Sequence, residues 1–123
     1  MAAFKRSFPF RLNSAEINMV ALPPIGVFRL LSWNPGTGEQ PRLRFVGMTD
    51  RNFSGTLKSH FPLTNYGVTH FTVEETATVK DAFDLTCREF HAEHPDLNHE
   101  HPESPIGTSY PCPDGECSES ARR

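Results

Sequence analysis

The chain has 123 residues, a formal net charge of −3 with histidine neutral, and three cysteines. A chain of this length fits one domain, and its negative charge, without a long basic run, disfavours a general nucleic-acid binder. An odd cysteine count suits a reducing compartment. The first residues lack the apolar core of a signal peptide, and no apolar stretch approaches the ~20 residues of a membrane span. We therefore expect a cytoplasmic protein without a membrane partner.

The first predicted elements are an arm and a short helix, which together occupy residues 1–21. Residues 1–12 mix Phe with Lys and Arg, a composition that is typical of a loosely held arm or an edge strand. Asn13 and Ser14 then offer a helix N-cap, and the Pro-Pro pair that begins at Pro23 stops the helix after about two turns.

A β-hairpin is predicted next. Residues 25–33 are mostly apolar, with β-branched and aromatic members, which indicates a buried strand. Asn, Pro and Gly at 34–38 are a turn signal, and a second strand follows over 42–48. Arg42 and Arg44 alternate on this second strand, so their side chains are expected to point to one side, either toward a phosphate backbone or into solvent.

A helix, a third strand and a longer helix complete the predicted domain. Apolar residues recur at helical spacing over 53–61, and residues 68–73 alternate as in a strand that lies against the hairpin. Thr78 and Asp81 resemble a capping box at the start of the last helix, which keeps one apolar face until Pro95. These elements predict an α+β fold with a central three-stranded antiparallel sheet flanked by helices.

The last segment, residues 99–123, is rich in Pro, Glu, Ser, His and Gly, which is typical of a flexible tail. Two His and two Cys of this tail are the ligand types of a tetrahedral zinc site; the alternative is that they are incidental. The candidate zinc ligands are His99, His101, Cys112 and Cys117. Cys87 is interpreted separately, as a small core residue on the apolar face of the last helix.

Short motifs in a fixed order resemble those of the GIY-YIG nuclease family. Gly-Val-Phe at 26–28 and Phe-Val-Gly at 45–47 resemble the two paired-strand tripeptides of that family. Residues 81–86 resemble the start of its metal-binding helix, and Pro-Asp-Leu-Asn at 95–98 resembles its closing Pro-x-Tyr-Asn. The resemblance covers residues 22–98 and implies a GIY-YIG-like domain between the N-terminal arm and the C-terminal tail.

The resemblance implies phosphodiester cleavage, in which a Tyr helps to deprotonate water, an Arg steadies the phosphate and a Glu holds a divalent metal. At the matching positions this chain has Phe28 and Phe45 for Tyr, and Thr86 for Glu. The family Arg lies one helical turn before a His. If His60 is that His, Thr56 takes the place of the Arg. Phe lacks the hydroxyl, and Thr carries neither the charge of Arg nor the carboxylate of Glu. We therefore expect the family fold without its catalytic groups and without a cofactor.

Three interpretations of function remain open, and the third is an interaction protein that a zinc ion in the tail holds together. The first is a non-catalytic binding or scaffold module for an unidentified protein or nucleic acid. Its expected contact surface is the cleft that corresponds to the active site of the nuclease family. The residues expected to line it are Phe28, Phe45, Arg51, Thr56, Lys58, His60, Thr86 and Glu89. The alternative is a divergent nuclease in which Glu89, one turn past Thr86, holds Mg²⁺ or Mn²⁺ with help from Arg51 or Lys58. The other interpretation of Glu89 and Lys58 is that both are solvated helix residues.

Overall fold

Four antiparallel strands form the sheet of the computed structural model, which describes residues 8–105 and 107–113. In chain order they are β1 (Phe10–Arg11), β2 (Gly26–Ser32), β3 (Arg42–Thr49) and β4 (His70–Glu75). Their order in the sheet is β1-β4-β2-β3. The predicted α+β class is confirmed, but the predicted count of three strands is wrong. Phe10 pairs with Phe71 of β4, and the two rings lie 5.8 Å apart, so a piece of the expected arm becomes a fourth strand.

Three α-helices accompany the sheet, and each is capped by the residue before it. They are α1 (Ser14–Met19), α2 (Phe53–Lys58) and α3 (Val79–Glu93). Asn13 caps α1, Thr78 caps α3 as predicted, and Asn52 caps α2 by accepting a hydrogen bond from Gly55 N–H at 3.0 Å. The expected helix over 53–61 is shorter, since α2 ends at Lys58 and a 3₁₀ segment follows. None of the helices described here is long and apolar enough to cross a bilayer.

The sheet carries separate hydrophobic clusters on its two faces. Successive side chains of a strand point to opposite faces, so Phe28 and Leu30 of β2 face α1 and α2, whereas Val27 packs with Val46 and Ala82 against α3. We call these two sides the α2 face and the α3 face. The buried members on the α2 face are Leu12, Ile17, Phe28, Leu30, Phe53, Leu57, Val68, Phe71 and Val73.

Residues beyond both ends of the expected 22–98 domain contribute to these cores. Leu12 and Ile17 are buried on the α2 face. After α3, Tyr110 and Cys112 pack with Phe83 in a third small cluster, in which Cys112 is 4 % exposed. Part of the segment that we expected to be a flexible tail therefore packs on α3.

Close contacts explain the glycines of the two strand tripeptides, which lie on neighbouring strands with Phe28 opposite Gly47. A Cβ atom on Gly26 would lie 2.2 Å from the carbonyl oxygen of Glu74 on β4. A Cβ atom on Gly47 would lie 2.6 Å from Cζ of Phe28. Both contacts are far shorter than a van der Waals separation, so a larger residue at either position requires its neighbour to move.

Replacing Gly26 by alanine is expected to destabilise the protein by about 1–3 kcal/mol, because the added methyl group meets rigid backbone of β4. The free energy of unfolding in urea measures this change. Gly36→Ala is the matched control, since its nearest new contact is a side-chain oxygen at 3.5 Å, and it should change stability by no more than about 0.5 kcal/mol. Equal stability of the two variants would contradict the close approach of β2 and β4.

The outer edge of β3 is occupied by residues 95–98. The side-chain amide of Asn98 accepts a hydrogen bond from Val46 N–H at 2.8 Å and donates one to Val46 C=O at 2.9 Å. Arg44 donates to Asp96 from Nε at 2.8 Å and from Nη2 at 3.0 Å, and this contact lowers the pKa of the Asp96 carboxyl. Arg44 is therefore buried and paired, contrary to both expectations for it, whereas the Arg42 side chain is 67 % exposed.

Candidate functional site

Phe28 and Phe45, at the two expected tyrosine positions, belong to an aromatic cluster on the α2 face. Their ring centroids lie 6.0 Å apart with an interplanar angle of 20°, and the ring of His60 lies 5.2 Å from the first and 4.9 Å from the second. Phe53 contacts Phe28 edge-on at 6.2 Å. Phe28 is 2 % exposed. The two rings therefore serve the core and carry no hydroxyl that could assist proton transfer.

The other polar residues expected around these rings are engaged in local contacts. Thr56 lies on α2, and its carbonyl oxygen is 2.8 Å from Nδ1 of His60. Arg51 is exposed and paired with the adjacent Asp50, which raises the pKa of Arg51. Lys58 Nζ donates to the side-chain oxygen of Asn18 at 3.2 Å. None of these contacts brings a cation to Glu89.

Thr86 and Glu89 lie on the other side of the sheet. Thr86 is fully buried in α3, and its hydroxyl donates to the carbonyl oxygen of Ala82 at 2.8 Å. The carboxylate of Glu89 binds Arg29, which follows Phe28 in β2 and therefore points to the α3 face. The eight residues expected to line one cleft are thus divided between the two faces, and the sheet separates them.

The Arg29–Glu89 ion pair joins β2 to α3, and its cation was not among the candidate site residues of the sequence. Arg29 Nε donates to Glu89 Oε1 at 2.6 Å, Nη2 donates to the other oxygen of that carboxylate, and Nη2 also lies 2.9 Å from Glu74 Oε1. The Arg29 side chain is 3 % exposed. Burial alone would lower the pKa of Arg29, but the hydrogen bonds and negative charges of Glu89 and Glu74 raise it.

A pocket of about 440 Å³ opens beside this ion pair. We call it the Arg29 pocket; it is lined by Pro9, Arg29, Leu31, Gln40, Pro41, Leu43, Thr72, Glu89 and Glu93. Thr72 of β4 is the direct cross-strand partner of Arg29. Nη1 of Arg29 and Oγ1 of Thr72 are both buried, and neither has a hydrogen-bond partner among the residues that the structure describes.

Of the three expected zinc ligands that the structure describes, His101 and Cys112 come together and His99 does not join them. His99 is exposed, and Cys117 lies outside the described residues. His101 and Cys112 instead lie with Cys87, and the ligand atoms of these three residues are all within 4.8 Å of one another. Cys87, which we expected to be only a core residue, therefore joins a group with metal-ligand chemistry. Only the three-dimensional structure reveals this, because the segment that carries His101 and Cys112 packs back onto α3.

Comparisons with known proteins identify no relative of this chain. No protein-family model, no curated protein and no solved structure matches it. The likeness to GIY-YIG nucleases therefore stays a prediction from sequence motifs, and the contacts of individual residues are the basis for a functional proposal.

Proposed function

We propose that this chain is a non-catalytic binding module on a GIY-YIG-like scaffold, and that the Arg29 pocket holds its ligand. The likeness to the scaffold is supported by the order of the motifs and by the antiparallel pairing of the two tripeptide strands, in which Phe28 lies opposite Gly47. The absence of catalytic chemistry is supported by the residues at the matching positions. Phe28 is packed in the core, and the hydroxyl of Thr86 is bonded within its own helix.

The observation that carries this proposal is a pair of buried polar atoms on Arg29 and Thr72, two residues that line the Arg29 pocket. Nη1 of Arg29 is a donor, and Oγ1 of Thr72 is both a donor and an acceptor. A buried polar group without a partner costs about 1–3 kcal/mol, so two such groups on residues that line one pocket lower the stability of the unliganded protein. A ligand that accepts from the guanidinium and bonds to the hydroxyl removes that cost when it binds.

The charges near the pocket indicate which ligands it would take. Arg29 is the one cation among the described residues that line the pocket, and it already contacts the carboxylates of Glu89 and Glu74. Glu93 adds a further negative charge at the exposed end of the lining. A phosphate or carboxylate ligand would therefore meet net negative charge. A main-chain carbonyl next to a lysine or arginine side chain fits better, so we propose a basic peptide segment as the ligand.

An NMR titration of the ¹⁵N-labelled protein tests this assignment. N-acetyl-lysine methylamide should shift the resonances of Arg29 and Thr72, whereas N-acetyl-glutamate methylamide should not, because its charge is repelled by Glu89 and Glu93. Thr72→Val and Glu93→Gln should weaken the response to the lysine compound, and Glu100→Gln, an exposed acid outside the pocket lining, should leave it unchanged. Equal responses to the two compounds would count against a pocket selective for basic peptides.

The purified protein is expected not to cleave plasmid, single-stranded DNA or RNA in the presence of Mg²⁺ or Mn²⁺, because the residues at the positions that match the family motifs supply neither a general base nor a metal clamp. Gel assays over a range of protein concentrations measure this. Glu89→Gln and Glu93→Gln are the matched pair of variants, one helical turn apart on α3. Cleavage that Glu89→Gln abolishes and Glu93→Gln retains would establish the alternative, a divergent metal-dependent nuclease that uses Glu89.

A further inference from the structure

A second group of polar residues lies on the side of α3 that faces the segment after this helix. Cys87 and His91 are four residues apart on α3, so their side chains lie on one helical face. His101 and Cys112 come from the irregular segment that packs on that face. Together the four residues are two thiols and two imidazoles, the donor set of many structural zinc sites.

We propose that Cys87, His91, His101 and Cys112 bind one zinc ion, which fastens the segment after α3 to the domain. This site shares His101 and Cys112 with the set expected from the sequence, but its other two ligands come from α3 in place of His99 and Cys117. It is separate from the Arg29 pocket, with which it shares no residue.

Two of the distances between donor atoms, both from His91, fit tetrahedral coordination. Nε2 of His91 lies 3.2 Å from Nε2 of His101 and 3.4 Å from Sγ of Cys112. Zinc–nitrogen bonds of about 2.0–2.1 Å and zinc–sulfur bonds of about 2.3 Å at tetrahedral angles place two nitrogens about 3.3 Å apart and a nitrogen and a sulfur about 3.5 Å apart. The sulfur of Cys87 lies within 4.8 Å of ligand atoms of His101 and Cys112, whereas His91 is not a member of this 4.8 Å group, so the four donor atoms must draw together when the metal binds.

The hydrogen bond of His101 fixes the tautomer that a metal requires. Nδ1 of His101 lies 2.8 Å from the carbonyl oxygen of Pro102. A carbonyl oxygen only accepts, so Nδ1 carries the hydrogen, and the lone pair of the neutral ring is on Nε2. That atom is the one that points toward His91. A backbone carbonyl that orients a ligating histidine in this way is the usual second contact of a zinc-bound imidazole.

The surroundings suit a closed structural site. Cys87 is fully buried, Cys112 is 4 % exposed, and the ring of Phe90 packs edge-on against both imidazoles at 5.2 and 5.3 Å. Two thiolates would balance the charge of Zn²⁺, so the complex could be buried without a net charge. Residues 99–105 and 107–113 contain no helix or strand, so a metal would supply cohesion that secondary structure does not give this segment.

Metal analysis of the full chain, purified with reductant and supplied with zinc, tests the proposal. Native mass spectrometry should find one zinc per chain. Loss of an outer-shell contact alone can lower metal affinity ~100-fold. His101→Gln and Cys112→Ser each remove a ligand, so competition with a chelator should show that they lower zinc affinity by at least that factor. His101→Cys, which keeps a zinc ligand at this position, should retain the metal. The exposed His99→Gln and His94→Gln are matched controls that should bind zinc as the parent chain does.

Cobalt substitution gives a readout on the parent chain that does not depend on whether a variant folds. The visible spectrum of the cobalt-loaded parent should be that of a tetrahedral site with thiolate ligands, and Cys117→Ser should leave it unchanged. Absence of bound metal would overturn the proposal. So would a disulfide between Cys87 and Cys112 in the protein purified with reductant, or loss of zinc in Cys117→Ser or His99→Gln with retention in Cys87→Ala and His91→Gln.

Discussion

Replacing Glu89 by alanine is expected to destabilise the folded protein by about 3–5 kcal/mol. The Arg29 side chain is 3 % exposed and binds both oxygens of the Glu89 carboxylate, so the variant leaves a buried guanidinium whose remaining ionic partner, among the residues that the structure describes, is Glu74. Removing one partner of a buried ion pair costs more than removing both, because the remaining charge is still desolvated. Urea unfolding followed by far-UV circular dichroism measures the loss.

Two further variants separate this effect from a general weakening of α3. Glu93→Ala removes an exposed carboxylate one turn further along the same helix and should change stability by no more than about 0.5 kcal/mol. The double variant Arg29→Met with Glu89→Met removes both charges and should be more stable than Glu89→Ala alone. A loss in Glu89→Ala no larger than the loss in Glu93→Ala would show that the ion pair contributes little.

Replacing Phe28 by alanine is expected to cost about 3–5 kcal/mol, the range that is typical of a buried Phe→Ala change. Phe28 is 2 % exposed and its ring contacts three others, those of Phe45, Phe53 and His60. The alanine variant loses the burial of the ring and leaves a cavity among these neighbours. Thermal and urea unfolding of the variant measure the loss, and Phe28→Leu, which keeps most of the apolar volume, should lie between the parent and the alanine variant.

Met19→Ala is the control for Phe28→Ala, because the Met19 side chain is 82 % exposed and its truncation should be nearly neutral. If Phe28→Ala and Met19→Ala had equal stabilities, the aromatic cluster would not be part of the core. The expected result assigns a packing role to the residue at a position where the resemblance implies a catalytic tyrosine.

Elements with local signals were predictable from the sequence. The Asn13 and Thr78 caps form as expected, and the hairpin pairs as the turn residues between its strands indicate. Glycine is unfavourable inside a helix, but a Cβ atom at Gly55 would lie 2.4 Å from the Asn52 side chain that caps α2. Residues 1–12 were expected to form an arm or an edge strand, and β1 is an edge strand. The predicted count of three strands left it out because two residues give no periodicity, and their partners in β4 are far away in sequence.

The polar groups were harder to predict because their contacts are distant in sequence. Glu89 was recognised as a candidate, but its partner Arg29 is sixty residues away and lies within a run that otherwise signals a buried strand. The spacing of Cys87 and His91 on one helical face was a usable local signal for a pair of ligands. What the sequence could not show is that the segment after α3 folds back, so that His101 and Cys112 reach this pair.

Asn98 covers part of the exposed rim of the sheet and so limits how other chains can pair with it. Its amide occupies the hydrogen-bonding groups of Val46 at the rim of β3, and at the opposite rim β1 offers only two residues. Long unpaired rims recruit strands from other molecules, and this is the usual route to β-augmentation and to amyloid-like association. A partner of this domain is therefore expected to be recognised through side chains and pockets, and not as an added strand. Asn98→Ala would expose a template for self-association.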